Sequence, residues 1–256
     1  MKQNFHILNQ LTKKKAFTLA EVIVTIGIIG IIATLTLHTL LDNQKIVYST
    51  QLQKAYKEFN QALANITADK GYSNDIKGSG IMDVGTDHQT LGDDIVKYFK
   101  INKNCGSIVN SGCFSSSVAP NYDGSGVRTS LDNGYYKFIT LDNIAYRISN
   151  NMDNCFNDWS SGATGQMKQV CGELFIDVNG PIKGPNNLGR DIFRFWITNG
   201  KGAQIYPYGG VDDKGYGSNR WWKNIINGAI ISCYPNNTKG ERCGGRLIEE
   251  SWQMNY

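Results

Sequence analysis

The sequence feature that most constrains this chain is an apolar run near its N-terminus. From Val22 to Leu41, twenty successive residues carry no formal charge. As an α-helix rising about 1.5 Å per residue, the run spans about 30 Å, which is the hydrocarbon thickness of a bilayer. We therefore expect one transmembrane helix. Glu21 lies directly before the run, where an ionised carboxylate is costly unless it acquires a partner.

The charges of the chain show which side of the membrane each part occupies. The chain has 26 basic and 22 acidic residues, and its first sixteen residues contain four lysines and no acid. Without these sixteen the balance is 26 − 4 = 22 basic residues against 22 acidic ones. No basic surplus remains for nucleic acid, so we expect no such partner. The four lysines place the N-terminus in the cytoplasm and the residues after Leu41 outside.

All six cysteines follow the apolar run, and they form three sequence-local pairs. The pairs are Cys105 with Cys113, Cys155 with Cys171, and Cys233 with Cys243. An even number of cysteines in an exported domain predicts disulfides. A zinc site is the alternative, although the spacings lack the closely spaced cysteines of such sites. The local pairing is only one of the connectivities that six cysteines allow.

The N-terminal segment differs from a cleaved secretory signal peptide. Such a peptide has a shorter apolar core, which a small-residue cleavage site follows. Here residues 37–41 offer no A-x-A pattern, and the small residue Ala16 precedes the apolar run instead. Composition alone favours an uncleaved signal anchor.

The residues around Ala16 indicate a different kind of processing. The stretch AFTLAEVIVTIGIIGIIATLTL, preceded by Lys13–Lys15, resembles the N-terminal signature of type IV pilins and of the pseudopilins of type II secretion systems. The resemblance implies that a prepilin peptidase cleaves between Ala16 and Phe17, leaves the apolar helix on the mature protein and N-methylates Phe17. The family usually has Gly where this chain has Ala16, and often Pro where it has His38. We expect slower cleavage and, without the proline, a more regular helix.

The resemblance also implies a role for Glu21. Cleavage creates an α-amino group on Phe17, and in the family the equivalent Glu meets this amine on a neighbouring subunit. An ion pair costs far less to bury in lipid than either charge alone. Glu21 would therefore set the register of subunits that otherwise pack through apolar helices. The alternative is a carboxylate that reaches the membrane edge and has no part in assembly.

Beyond Leu41 the sequence predicts that the helix continues with an amphipathic pattern. Apolar residues recur mostly at steps of three and four, and Gly71 follows as a stop signal. The predicted stripe consists of Val47, Leu52, Tyr56, Phe59, Leu63 and Ile66. The pattern predicts one helix of about 50 residues, half in the bilayer and half packed on a domain.

The remaining sequence predicts a sheet. A helical pattern covers Leu91–Lys100, and β-prone runs cover Tyr135–Thr140, Ile144–Ile148, Leu174–Val178 and Ile192–Thr198. Residues 141–143 are expected to join the first two runs as a hairpin, and residues 207–219 to form an exposed loop. The predicted fold is therefore α+β, with a long N-terminal helix packed on an antiparallel sheet of about four strands that carries disulfide-bonded loops.

Four segments are predicted along the chain. They are a cleaved cytoplasmic leader (1–16), a transmembrane and filament-core helix (17–41), its amphipathic continuation (42–70) and an extracytoplasmic globular domain (71–256).

One connection of the predicted sheet has the composition of a metal site. Asp177, Asn179 and Gly180, with Asp191 at the far end, resemble the start of a calcium loop, in which a tight turn gathers hard oxygens. The resemblance to pseudopilins points the same way, because some of them carry a structural calcium near the sheet. The EF-hand frame and its final Glu are missing, and plain turns use the same residue types. A structural calcium and a turn without metal both stay open.

The sequence contains no pattern of a known catalytic centre. Nucleophile-elbow, zinc-protease and phosphate-loop motifs are missing, so we expect a protein that is not an enzyme. The resemblance implies a single-pass protein of the bacterial inner membrane that a membrane assembly platform joins to other pilin-like subunits. The product would be a type II secretion or type IV pilus filament, in the periplasm or at the cell surface.

Two alternative functions stay open. The first is a minor tip subunit that acts as a binding or adhesion module, which the 256 − 16 = 240 residues left after processing favour. The second is a membrane-anchored extracytoplasmic enzyme.

Overall fold

A computed structural model describes residues 17–83, 85–150, 152, 155, 165–208, 225–226, 229–230, 233 and 239–256. For residues 38–39, 225–226 and 229–230 it describes the backbone alone. The predicted leader and most of the predicted loop 207–219 lie outside these residues. By internal contacts the chain divides into two compact units, Met1–Gln44 and Lys45–Tyr256.

The long N-terminal helix is confirmed as α1, which runs from Leu19 to Asp69 over 51 residues. Its C-terminal end is closed by Gly71, whose φ of +81° is the left-handed conformation that favours glycine. The Gly71 N–H donates to the Ala68 carbonyl, and the Tyr72 N–H donates to the Thr67 carbonyl. This pair of bonds is a Schellman motif, and it satisfies carbonyls that the end of a helix leaves free.

The buried stripe of α1 differs from the predicted one at its start. Val47 is 49% exposed, whereas Tyr48 beside it is buried. The buried apolar residues are Tyr48, Leu52, Ala55, Phe59, Ala62, Leu63 and Ile66, and the predicted Tyr56 is half-buried. Successive steps of three and four residues lead from Ile66 back to Tyr48, and Val47 falls about 100° away around the helix. The prediction for Val47 was therefore wrong, because near the end of a stripe the spacing does not decide between neighbouring residues.

The globular unit contains a six-stranded antiparallel sheet in which the strands follow each other in chain order. The strands are β1 (Ile101–Gly106), β2 (Tyr136–Thr140), β3 (Ala145–Ser149), β4 (Val170–Asp177), β5 (Ile192–Thr198) and β6 (Gln204–Pro207). The described helices besides α1 are α2 (Ile76–Ser79), α3 (His88–Val96) and α4 (Cys243–Glu249), and β7 (Ile225–Ile226) pairs with β8 (Ala229–Ile230). The α+β prediction is confirmed.

The sheet has two more strands than predicted, one at each edge. The four predicted runs became β2 to β5, and the helical pattern became α3. β1 has the polar sequence INKNCG, is largely exposed and pairs with β2 through two irregularities. β6 has four residues and ends at a proline. Edge strands of this kind lack the apolar pattern that two covered faces impose.

The main core lies between α1 and one face of the sheet. Phe59 of α1 stacks on Tyr146 of β3 at 5.9 Å between ring centroids, and Tyr146 stacks on Phe138 of β2 at 5.0 Å. All three side chains are fully buried. The docked half of α1 is thus part of the core of the globular unit, and its position is fixed by aromatic packing.

All six cysteines are paired, in the sequence-local pattern. The disulfides join Cys105 to Cys113, Cys155 to Cys171, and Cys233 to Cys243. Each closes a short loop beside a strand or helix, and a loop of this length adds about 2–4 kcal/mol to the free energy of unfolding. The alternative of zinc ligation by these cysteines is therefore not realised.

Candidate functional site

The first candidate site is the start of α1, where Thr18 and Glu21 form a capping box. The Glu21 carboxylate accepts hydrogen bonds from the Thr18 backbone N–H and from the Thr18 hydroxyl, both at 2.8 Å. In return the Thr18 hydroxyl accepts the Glu21 N–H at 3.3 Å. Two free donors at the helix start are thereby satisfied. Glu21 is held at the N-terminal end of its own helix, close in the chain to Phe17.

The predicted cleavage site is described only in part. Ala16 lies outside the described residues, and Phe17 is 85% exposed. Phe17 and Thr18 precede the helix, which starts at Leu19. A backbone that is exposed and not helical is the form in which a peptidase can bind a chain.

The apolar half of α1, from Val22 to Leu41, has only exposed side chains among those that the structure describes. Among the described residues, α1 alone is long and apolar enough to cross a bilayer, and its most apolar window has no residue buried inside the protein. A Cβ added at Gly27 or at Gly30 would meet nothing within 4 Å. Close packing in the described part of the chain therefore does not require these two glycines, each of which costs a helix about 1 kcal/mol relative to alanine. A surface of this size and composition needs lipid or other apolar helices around it.

The second candidate site is the connection between β4 and β5, here called the acidic loop (residues 177–191). Asp177 is fully buried, and one of its carboxylate oxygens accepts the N–H groups of Asn179 at 3.2 Å and of Gly180 at 2.9 Å. Gly180 has a φ of +79°, and a Cβ on it would lie 2.5 Å from the Asn143 amide nitrogen. Only glycine fits this turn, which fixes the Asp177 carboxylate at the end of β4.

Asp191 closes the other end of the acidic loop. Its side chain is also fully buried, and its two oxygens accept the N–H groups of Asn186 and Asn187, each at 2.8 Å. The Val178 N–H donates to the Asp191 carbonyl at 2.9 Å. This bond brings the two ends of the loop together, so that two carboxylates are buried in one place.

The buried carboxylates carry an electrostatic cost. Burial raises the pKa of Asp177 well above its ordinary value of 3.8, and the charge of Asp191 raises that pKa further. Burial also raises the pKa of Asp191, against the lowering effect of the hydrogen bonds from Asn187 and Asn186. Like charges that share a buried site disfavour ionisation unless a cation compensates them.

The acidic loop also has oxygen atoms without hydrogen-bond partners. Among the described residues, four buried side-chain oxygens of this one loop accept no hydrogen bond: Asp177 Oδ2, Asn179 Oδ1, Asn186 Oδ1 and Asn187 Oδ1. Buried polar atoms are normally satisfied. Carboxylate and amide oxygens are the ligands that calcium prefers. In the described part of the chain no three His, Cys, Asp or Glu side chains are placed so that they could hold a metal ion together. A cation at the two carboxylates would therefore need amide or backbone oxygens as further ligands. The residues fit calcium on these terms.

Two contacts of these sites, the helix cap formed by Thr18 and the bond to Tyr48, were not predicted from the sequence. Thr18 could have been found, because Thr three positions before Glu is the spacing of a capping box. Tyr48, whose hydroxyl accepts a hydrogen bond from the Asn179 amide at 3.1 Å, gave no signal. The two residues are 131 positions apart, and no local pattern reports a contact at that separation.

Comparison with known proteins gives one match. Residues 11–37 match the family model described as the prokaryotic N-terminal methylation motif, which is the signature of type IV pilins and pseudopilins. No curated protein and no solved structure matches the chain. The matched residues include Ala16, Phe17, Thr18 and Glu21, and they end inside the exposed half of α1. The N-terminal segment therefore carries the methylation motif, including the residues of the predicted cleavage site.

Proposed function

We propose that this protein is a pilin-like subunit that is processed by a prepilin peptidase and assembles into a type II secretion or type IV pilus filament. The observation that carries the proposal is the methylation motif at residues 11–37, on a helix whose most apolar window is not buried in the described part of the chain. A bilayer covers that surface before assembly. Neighbouring α1 helices cover it afterwards.

In this mechanism the new N-terminus and Glu21 act as a pair. Cleavage before Phe17 leaves a cationic amine next to Thr18, the residue whose N–H and hydroxyl already hold the Glu21 carboxylate. A carboxylate fixed at the helix end is ready to receive the amine of an incoming subunit without losing rotamer freedom. The pair can then enter the apolar filament core at a lower cost than either charge alone. The register of neighbouring helices follows from this contact.

Processing is the direct test of the proposal. The mature chain isolated from its native host should begin at Phe17 with one N-methyl group, and it should be present in sheared surface or secretion filaments. Intact-mass spectrometry of membrane and filament fractions measures both. A small residue is needed before the cut, so Ala16→Gly should be cleaved at least as fast as the wild type and Ala16→Phe should stay uncut. A mature terminus at Met1 or beyond Leu41 would contradict the pilin assignment.

We also propose that the acidic loop binds one structural calcium ion. Asp177, Asn179 and Asp191 would hold it, because they contribute two buried carboxylates and an unpaired amide oxygen. The ion would supply positive charge to a pair of carboxylates that otherwise resist ionisation. It would thereby fix the connection between β4 and β5.

Calcium titration of the purified full-length chain in detergent tests this proposal. We expect one ion per chain for the wild type and loss of binding for Asp191→Asn. The matched control is Asp123→Asn, because Asp123 also accepts a backbone N–H, that of Ser125 at 2.9 Å, but lies exposed in another loop. The control should bind like the wild type. Absence of calcium binding to the wild type, or equal losses in the two variants, would refute the site.

A further inference from the structure

The docked part of α1 begins at one side chain, Tyr48. Among the side chains described between Phe17 and Val47, none is buried, and Tyr48 is the first that is, with 9% of its surface exposed. Its contact in the globular unit is Asn179 of the acidic loop. The first buried turn of the helix and the proposed cation ligands therefore meet directly.

The Gly184 carbonyl sets the orientation of the Asn179 amide, and the Tyr48 hydroxyl binds the same amide nitrogen. The Asn179 amide nitrogen donates to the Gly184 carbonyl at 3.0 Å and to the Tyr48 hydroxyl at 3.1 Å. The Gly184 carbonyl oxygen can only accept a hydrogen bond, so the Asn179 amide nitrogen, and not the amide oxygen, must face it. The oxygen is then the end that stays buried without a partner among the described residues. Tyr48 thus helps to hold Asn179 in the orientation that leaves an oxygen available to a cation.

We infer that Tyr48 is a positioning residue for the acidic loop. Through its bond to Asn179, calcium binding and the docking of the first buried turn of α1 reinforce each other. This inference rests on the calcium site proposed above. Coupling free energies are reciprocal, so whatever factor the Tyr48 contact adds to calcium affinity, calcium adds to the docking of this turn. Calcium outside the cell would then act on the helix that forms the filament, in addition to the loop itself.

Calcium titration of full-length Tyr48→Phe in detergent, with calcium chloride as the probe, tests the inference. The variant keeps the ring and loses the hydroxyl. Loss of one hydrogen bond to a ligand should weaken calcium affinity by about three- to tenfold at unchanged stoichiometry. The matched control is Tyr56→Phe, which removes a hydroxyl from the same helix. The Tyr56 hydroxyl donates to the Ile205 carbonyl at 3.1 Å, away from the acidic loop. Its calcium affinity should equal that of the wild type.

A second measurement does not depend on any variant. Hydrogen exchange of the backbone amides around Tyr48 in the wild type should be slower with calcium than with a chelator, and this difference should vanish in Tyr48→Phe. Equal affinity of Tyr48→Phe and the wild type, or equal weakening by both tyrosine variants, would overturn the coupling while the calcium site stands. A wild type that binds no calcium would overturn the site itself, so the two failures are distinct.

Discussion

Glu21→Gln should remove this protein from sheared filaments while the cleaved monomer stays in the membrane. The Glu21 carboxylate bonds to Thr18 at the start of its own helix, and loss of a charge makes membrane insertion easier. What the variant lacks is a counter-charge for the amine of a neighbour's Phe17. Removal of one member of a buried ion pair costs about 3–5 kcal/mol. At about 1.4 kcal/mol per tenfold, the association constant between subunits should fall by roughly two to three powers of ten.

Because of the capping box, Glu21→Gln tests the role of the charge more specifically than Glu21→Ala does. A glutamine oxygen can still accept the Thr18 N–H and hydroxyl, so the start of α1 is retained and only the charge is lost. Alanine removes the charge and the cap together. If the charge carries the effect, both variants should fail to assemble, and the helix start should weaken only in Glu21→Ala.

The control for these variants is Thr25→Val, one turn further along α1. Thr25 bonds back to the Glu21 and Val22 carbonyls at 2.9 Å, so this substitution removes a polar group from the apolar half without changing charge. It should assemble normally. Quantitative immunoblots of membrane and sheared fractions measure cleaved monomer and filament for all variants. Normal assembly of Glu21→Gln would leave Glu21 as an acid at the membrane edge, and its role in register would have to be abandoned.

The parts of the fold that sequence predicted are those with a repeated local pattern. The long helix, the stop at Gly71 and the central strands β2 to β5 all follow from apolar periodicity or from turn chemistry. β1 and β6 escaped because edge strands can be polar, short or interrupted by proline without loss of pairing. The apolar spacing predicts Val47 in the buried stripe where the structure has Tyr48, because near the end of a stripe the spacing fits two neighbouring residues equally well.

For the candidate sites too, the residues that form a local sequence pattern were predicted and the contacts between distant residues were not. The residues of the N-terminal motif are contiguous, so a single stretch of sequence identifies Ala16, Phe17 and Glu21 together. The acidic loop is also local, and its Asp and Asn residues were visible in sequence. Its burial was not visible, and burial turns ordinary turn residues into a charged site with unpaired oxygens. The Tyr48 contact depends on how α1 docks on the sheet, which no local pattern encodes.

Calcium removal should lower the melting temperature of the full-length chain at neutral pH, and the size of the effect should depend on pH. At a free calcium concentration about 100 times Kd, binding adds about 2.7 kcal/mol to the free energy of unfolding. For a domain of this size that corresponds to roughly 5–10 °C. Thermal unfolding in calcium and in a chelator measures the difference. Magnesium should replace calcium poorly, because it demands a smaller and more regular set of ligands.

The pH dependence follows from the raised pKa values of Asp177 and Asp191. In the calcium-free chain these buried carboxyls stay protonated at pH values above the ordinary aspartate pKa of 3.8. Their contribution to the free energy of unfolding is therefore fully present at low pH and is lost as pH rises through the raised pKa values. Calcium binds the ionised pair and needs those protons to leave. Tyr48 beside this pair has a pKa raised above its ordinary value of 10, mainly by burial, so it stays neutral over this pH range. The stabilisation by calcium should therefore be small near pH 4 and grow towards neutrality.

Asp177→Asn should reverse the order of stability between the two conditions. An asparagine oxygen can still accept the N–H groups of Asn179 and Gly180, so the turn is kept while one buried charge disappears. With the chelator at neutral pH, the variant should melt at or above the temperature of the wild type, because no like-charge pair remains. With calcium, the wild type should melt higher, since the variant has lost a carboxylate ligand. If the wild type is the more stable protein in both conditions, the carboxylates are compensated by something other than calcium; if it is the less stable in both, calcium does not bind them.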